Sequence, residues 1–161
     1  IHVDDAASQT VAYIRGETHR HIAEHGRPVV VFVDYLQLLA SGKKENRVQE
    51  VSEISRTLKV LAREVDAPVI ALSQLSRAVE GRTSHVPMLS DLRESGSIEQ
   101  DADIVIMLYR EELYDKETDK RGIAELHIMK HRNGPIGVIP MRFDASTTRF
   151  DTLTYRSPEG Y

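Results

Sequence analysis

The chain has 161 residues, 40% of them hydrophobic, and no low-complexity tract, which is enough for one globular domain with a single core and short for two. It contains no Cys, which excludes disulfides and thiolate metal sites, and no signal peptide or apolar run of membrane-spanning length, so a cytoplasmic location without a membrane partner is the starting expectation. A formal charge of −4 excludes a basic coat for nucleic acid, and any phosphate contact must come from local basic residues.

In chain order, "IHVDD" reads as the end of a strand. "SQTVAYIRGETHRHIAEHG" comes next as a helix with Ser8 as N-cap, Val11, Ile14 and Ile22 on one face, and Gly26 as the stop. "PVVVFVD" is a continuous β-branched run ending in an acid, the pattern of a strand buried on both faces of a parallel sheet. After the polar loop "LLASGKKEN", the residues Val48, Val51, Ile54, Leu58, Leu61 and Val65 recur at steps of three and four, which predicts an amphipathic helix over 47–65. "APVIALSQ" repeats the strand pattern, so strand, helix, strand, helix, strand predicts a right-handed parallel α/β unit with its function at the carboxyl ends of the strands.

A polar loop from Leu75 to Gly96 is too long for a passive connector. A short helix then starts in "SGSIEQDAD", where Ser97 and Gln100 have capping-box spacing. "DIVIMLY" is another buried strand, and "REELYDKETDKRG" a charged, solvated turn. "IAELHIMK" and "GVIPMRF" flank "HRNGP" as a hairpin whose Asn133-Gly134 pair suits a tight turn.

Three stretches and this hairpin carry possible chemistry. Asp34, at the carboxyl end of a strand, stands where a nucleotide-binding sheet holds Mg²⁺, although such an acid also serves as a cap for the next segment. Gln74 ends the adjacent strand and has both a donor and an acceptor with which to sense a γ-phosphate, or is an ordinary strand-end amide. Arg93, Gly96 and the N–H groups at a helix start make a phosphate cradle or a solvated capping loop; with no aromatic residue among them, base reading is disfavoured. Lys130 and Arg132, two apart on an extended strand, project toward one partner or simply into solvent.

Taken together and in this order, "VFVDYLQLL", "EISRTLKVLAREVDAPVIALSQLSR", "SDLRESGSIEQDADIVIMLYR" and "KHRNGPIG" resemble the carboxyl-terminal motor domain of the DnaB-type replicative DNA helicases, over roughly Ile1 to Leu153. The stretch "DLRESGSIEQDAD" resembles that family rather than RecA-like ATPases at large. The resemblance implies a RecA-like, mostly parallel α/β sheet with flanking helices and a C-terminal β-hairpin, in a single partial domain over 1–161 whose residues 154–161 form a flexible tail. It implies ATP and Mg²⁺ as cofactors, a homo-hexamer around single-stranded DNA, and a primase and a helicase loader as partners. It gives Asp34 the metal acid's role and Gln74 that of the nucleotide sensor, puts Arg93, Glu94 and Gly96 in the loop that tracks the DNA backbone, and makes Lys130 and Arg132 the pair that reaches a neighbouring subunit's ATP.

Departures from the family pattern are as informative. No stretch reads G-x-x-x-x-G-K-[ST], "SGKKE" lacking both the earlier Gly and the Ser or Thr, and the strand with the catalytic glutamate is also missing. The chain is therefore expected to be the latter part of a motor domain, inactive alone. His131 stands where the family often has Gln. His21 and His25, at i, i+4 spacing near His19, lack a third zinc ligand, and Asp4 and Asp5 fall where the family begins a helix cap. The competing readings are an inactive RecA-like assembly module, which a natural start near Ile1 would favour, and a recombinase core, which "DLRESGSIEQDAD" disfavours.

Overall fold

The computed structural model describes residues 1–6, 9–39, 47–92 and 96–153. They fall into two compact units, one made of Ile1–Ser76 with Leu92–Ala102, the other of Arg77–Asp91 with the chain from Asp103 onward.

In the first unit, α1 (Val11–His25) is capped by Thr10, whose hydroxyl accepts the Tyr13 N–H, and ends at Gly26 with φ 85°, a conformation that disfavours any residue with a Cβ. The predicted cap, Ser8, lies outside the described residues. Strands β1 (Val31–Val33) and β2 (Val69–Ala71) pair in parallel, Val31 with Val69 through Val33 with Ala71, and α2 (Arg47–Val65) is the crossover between them. The helix keeps the predicted bounds because its apolar residues repeat at helical period. Val51, Ile54, Leu58, Leu61 and Val65 are buried, whereas Val48, one step earlier, stays exposed. Leu92 and Ile98 complete this core as α3 (Gly96–Asp101) packs on α2.

Two expectations are corrected here. Ser97 is the second residue of α3 rather than its cap, and its buried Oγ has no hydrogen-bond partner, so it does not form the capping box. β1 is not buried on both faces: Val33 is buried, but the register partners Phe32 and Ile70 are 67% and 45% exposed. A run of consecutive apolar residues fixes an extended strand without fixing what covers each face.

In the second unit, β3 (Ile104–Tyr109), β4 (Ile123–His131), β5 (Gly137–Asp144) and β6 (Arg149–Thr152) form an antiparallel sheet in that order. β3 pairs antiparallel with β4 rather than extending the parallel pair, and it alternates: Val105, Met107 and Tyr109 are buried while Ile104, Ile106 and Leu108 are exposed. Val105, Met107, Tyr109, Ala124, Phe143 and Val79 make the core of this unit. Asp91, also buried, accepts the Met88 N–H and the Arg82 guanidinium, each at 2.7 Å, which ties down the turn at the end of the Arg77–Asp91 segment.

The predicted charged turn between β3 and β4 is more ordered than a solvated loop. The Glu112 carboxylate accepts the Gly122 N–H at 2.8 Å and pairs with Arg110, whose guanidinium carbon lies 3.8 Å from the Phe143 ring centroid. Lys120 bridges Glu111 at 3.2 Å and Glu125 at 2.9 Å. These contacts hold the Glu111 and Glu112 carboxyls below their ordinary range, Glu111 chiefly through the Thr118 hydroxyl and Glu112 chiefly through the Gly122 N–H. Gly122 has φ 66°, which lets the chain turn sharply into β4. Among the described residues no helix is long and apolar enough to cross a membrane.

Candidate functional site

The carboxyl end of the parallel pair is where the predicted acid and amide meet. Asp34 comes directly after Val33, is exposed, and is joined to Tyr35 by a cis peptide bond. The ladder continues one step past the assigned strands: Leu72 donates its N–H to the Val33 carbonyl and Leu36 donates to the Leu72 carbonyl, both at 2.9 Å. The chain after β1 then winds into a 3₁₀ turn, Leu36–Leu38, and its backbone can no longer pair with β2.

Gln37, inside that turn, takes over with its side chain. Its Oε1 accepts the Gln74 N–H at 3.2 Å, and its Nε2 donates to the Ser73 Oγ at 3.0 Å and to the Gln74 carbonyl at 3.4 Å. The Gln74 backbone is thereby held beside the turn that carries Asp34, and Gln74 itself is exposed. A carboxylate and a carboxamide at neighbouring parallel-strand ends can both face a polyphosphate, the first through a hard cation and the second by direct hydrogen bonds. No group of three or more metal-ligating side chains occurs among the described residues. A single carboxylate fits Mg²⁺, which keeps several waters and relies on substrate phosphates. His21 and His25 stack face to face with ring centroids 4.8 Å apart.

The second unit holds the basic pair at the end of β4. Ile106 pairs with Ile128 but Val105 with Lys130, so Met129 is an extra residue on β4; such a bulge re-aims the strand beyond it. Lys130 and His131 still pair with β3, while β5 pairs with β4 only as far as Ile128 opposite Gly137. The residues between, 129–136, form a wider connection than the tight Asn133-Gly134 turn predicted. Neither Asn133 nor Gly134 takes the positive φ of such a turn. Pro135 supplies the reason: it has no N–H to close a two-residue hairpin, and it biases Gly134 toward extended backbone.

Arg132 donates its N–H to the Asp103 carbonyl at 2.8 Å, and its guanidinium lies 3.3 Å from the Asp103 carboxylate, both side chains about half exposed at 48% and 50%. The His131 Nδ1 lies 3.3 Å from the Pro135 carbonyl, and the ring covers Gly134 so closely that a Cβ there would fall 2.3 Å from it. Of the remaining predicted residues, Gly96 opens α3, whereas Arg93 and Glu94 lie outside the described residues. Sequence reasoning missed Gln37 and Asp103. The signal for Gln37 was available, a lone amide inside the apolar run "YLQLL".

A parallel strand pair with its crossover helix, and with an acid and an amide just beyond its carboxyl ends, defines an α/β protein with its candidate site at the strand ends. More narrowly, the chain belongs to the DnaB-like helicase C-terminal domain family, whose model matches residues 1–152. It is 53% identical to the replicative DNA helicase DnaB of Geobacillus stearothermophilus, covering 99% of this chain and 35% of that protein. It is 52% identical to the replicative DNA helicase DnaC of Bacillus subtilis (strain 168), covering 97% of this chain and 35% of that protein. Among solved structures it superposes with a TM-score of 0.90 on a DnaB-like replicative helicase studied for its interactions with primase, at 48% identity over 96% of this chain and 37% of that one. The chain thus spans about a third of the length of the curated relatives it matches, 35% in each of these two.

Proposed function

We propose that this chain is part of the single RecA-like motor domain of an ATP-driven replicative DNA helicase, a homo-hexamer that encircles single-stranded DNA and works with a primase and a loader. The observation that carries the reading is the juxtaposition of Asp34 and Gln74 at the ends of paired parallel strands, in a chain of this family. Asp34 would hold Mg²⁺ bound with ATP, and the cation would neutralise phosphate charge. Gln74 senses the γ-phosphate and pulls on the loop beyond it, which leads toward Arg93, Glu94 and Gly96 at the DNA backbone. Lys130 and Arg132, displayed beyond the Met129 bulge, serve ATP bound by a neighbouring subunit.

The test uses the full-length protein. Asp34→Ala is expected to abolish DNA-stimulated ATP turnover and strand separation while native mass spectrometry still finds the hexamer. Full turnover by that variant overturns the proposed role. The 161-residue chain by itself is expected to hydrolyse no ATP, because it contains no G-x-x-x-x-G-K-[ST] stretch to cradle the β- and γ-phosphates.

A further inference from the structure

We infer that Gln37 is a positioning residue, one that couples the segment bearing Asp34 to the amide of Gln74; the inference rests on the sensor role proposed for Gln74. A primary carboxamide presents the same donor and acceptor as a peptide group. Where the chain after β1 leaves the ladder for its 3₁₀ turn, the Gln37 side chain replaces the missing backbone. It accepts from the Gln74 N–H at 3.2 Å and donates to the Gln74 carbonyl at 3.4 Å, the two-bond exchange with one residue that backbone makes in a hydrogen-bonded antiparallel pair. Its bond to the Ser73 Oγ at 3.0 Å fixes the rotation of the carboxamide.

The connection is short in sequence and direct in space. Gln37 lies three residues after Asp34, and the intervening Leu36 is buried and bonded to the Leu72 carbonyl. A displacement of the turn at Asp34 therefore pulls on the segment 72–74 through two links, a main-chain bond from Leu36 to the Leu72 carbonyl and the Gln37 side chain on the Gln74 backbone. Gln37 is half-buried and Gln74 exposed, and the link is made within the chain without any contact to nucleotide.

The test compares Gln37→Met, Gln74→Ala and their double variant in the full-length protein. Met keeps the length of the side chain and removes both hydrogen-bonding groups. Fluorescent ADP binding, melting temperature, and ATP turnover with and without a thymidine oligonucleotide are measured. Gln37→Met is expected to leave nucleotide affinity within about twofold and to reduce DNA stimulation about tenfold, the scale of two neutral hydrogen bonds in an equilibrium. The double variant is expected to be no worse than the more defective single one, because both act on one link. Gln37→Glu, which can still accept from Gln74 N–H and from the Ser73 hydroxyl, is expected to restore part of the stimulation. If Gln74→Ala loses stimulation while Gln37→Met keeps it, the inference on Gln37 fails and the role of Gln74 stands. If Gln74→Ala keeps stimulation, the sensor reading fails and the inference falls with it. A Gln37→Met protein that loses nucleotide affinity and melting temperature together reduces Gln37 to a structural residue and also overturns the inference.

Discussion

Removal of the Arg132 side chain separates a stabilising role from a catalytic one, because the structure bounds the first tightly. The guanidinium pairs with Asp103 at 3.3 Å, and the two side chains are 48% and 50% exposed. Ion pairs so open to water contribute about 0–1 kcal/mol, less at high salt. The turn itself is held by the Arg132 N–H to the Asp103 carbonyl, a backbone bond that Ala retains. A finger acting on the neighbour's γ-phosphate contributes on the order of 10³-fold or more to turnover, about 4 kcal/mol of barrier. Arg132→Ala in the full-length protein should therefore shift stability by no more than about 1 kcal/mol and abolish ATP hydrolysis. Asp103→Asn, which weakens the pair and keeps the guanidinium, should leave turnover largely intact. The decisive assay mixes Arg132→Ala subunits with subunits lacking the phosphate-loop lysine of the full protein. Boundaries that pair an intact loop with an intact finger should hydrolyse ATP, although neither parent does. If native mass spectrometry finds both subunit types in one ring and turnover does not return, Arg132 does not act across a boundary and its charge is a surface ion pair.

Leu61 is fully buried in the α2 core, so Leu61→Ala should destabilise the domain by about 2–5 kcal/mol in a denaturant titration; a loss below about 1 kcal/mol would mean the site collapses around the gap. Acid should loosen the turn between β3 and β4: Glu112 has its folded pKa depressed below 4.5, so its contribution is present above that value and fades as pH falls through the folded one. Glu112→Gln should flatten the fall in stability of this unit as pH drops below the ordinary Glu range, and an unchanged acid limb would show that other carboxylates dominate. In the full-length protein, Arg93→Ala should weaken single-stranded DNA binding about equally for all base compositions and reduce the salt slope by roughly one phosphate contact; a loss confined to one composition would indicate base reading.

The elements that depend on local periodicity were legible in the sequence alone. Helix α2 has the bounds its apolar spacing dictates, Gly26 stops α1, and both strand ends bearing Asp34 and Gln74 stand where the βαβ pattern put them, since period and breaker residues act within a few positions of themselves. The family, too, was legible from four stretches, and the family model agrees over residues 1–152. What required tertiary structure was every feature set by a partner distant in sequence. The pairing of β3 with β4, the Met129 bulge and the wide turn before Pro135 arise because β4 meets β3 on one side and β5 on the other, and no single segment encodes both registers. The Gln37 bridge to Ser73 and Gln74 joins positions 36 and 37 residues apart, a link that becomes visible only when the end of a parallel ladder needs a side chain to stand in for backbone.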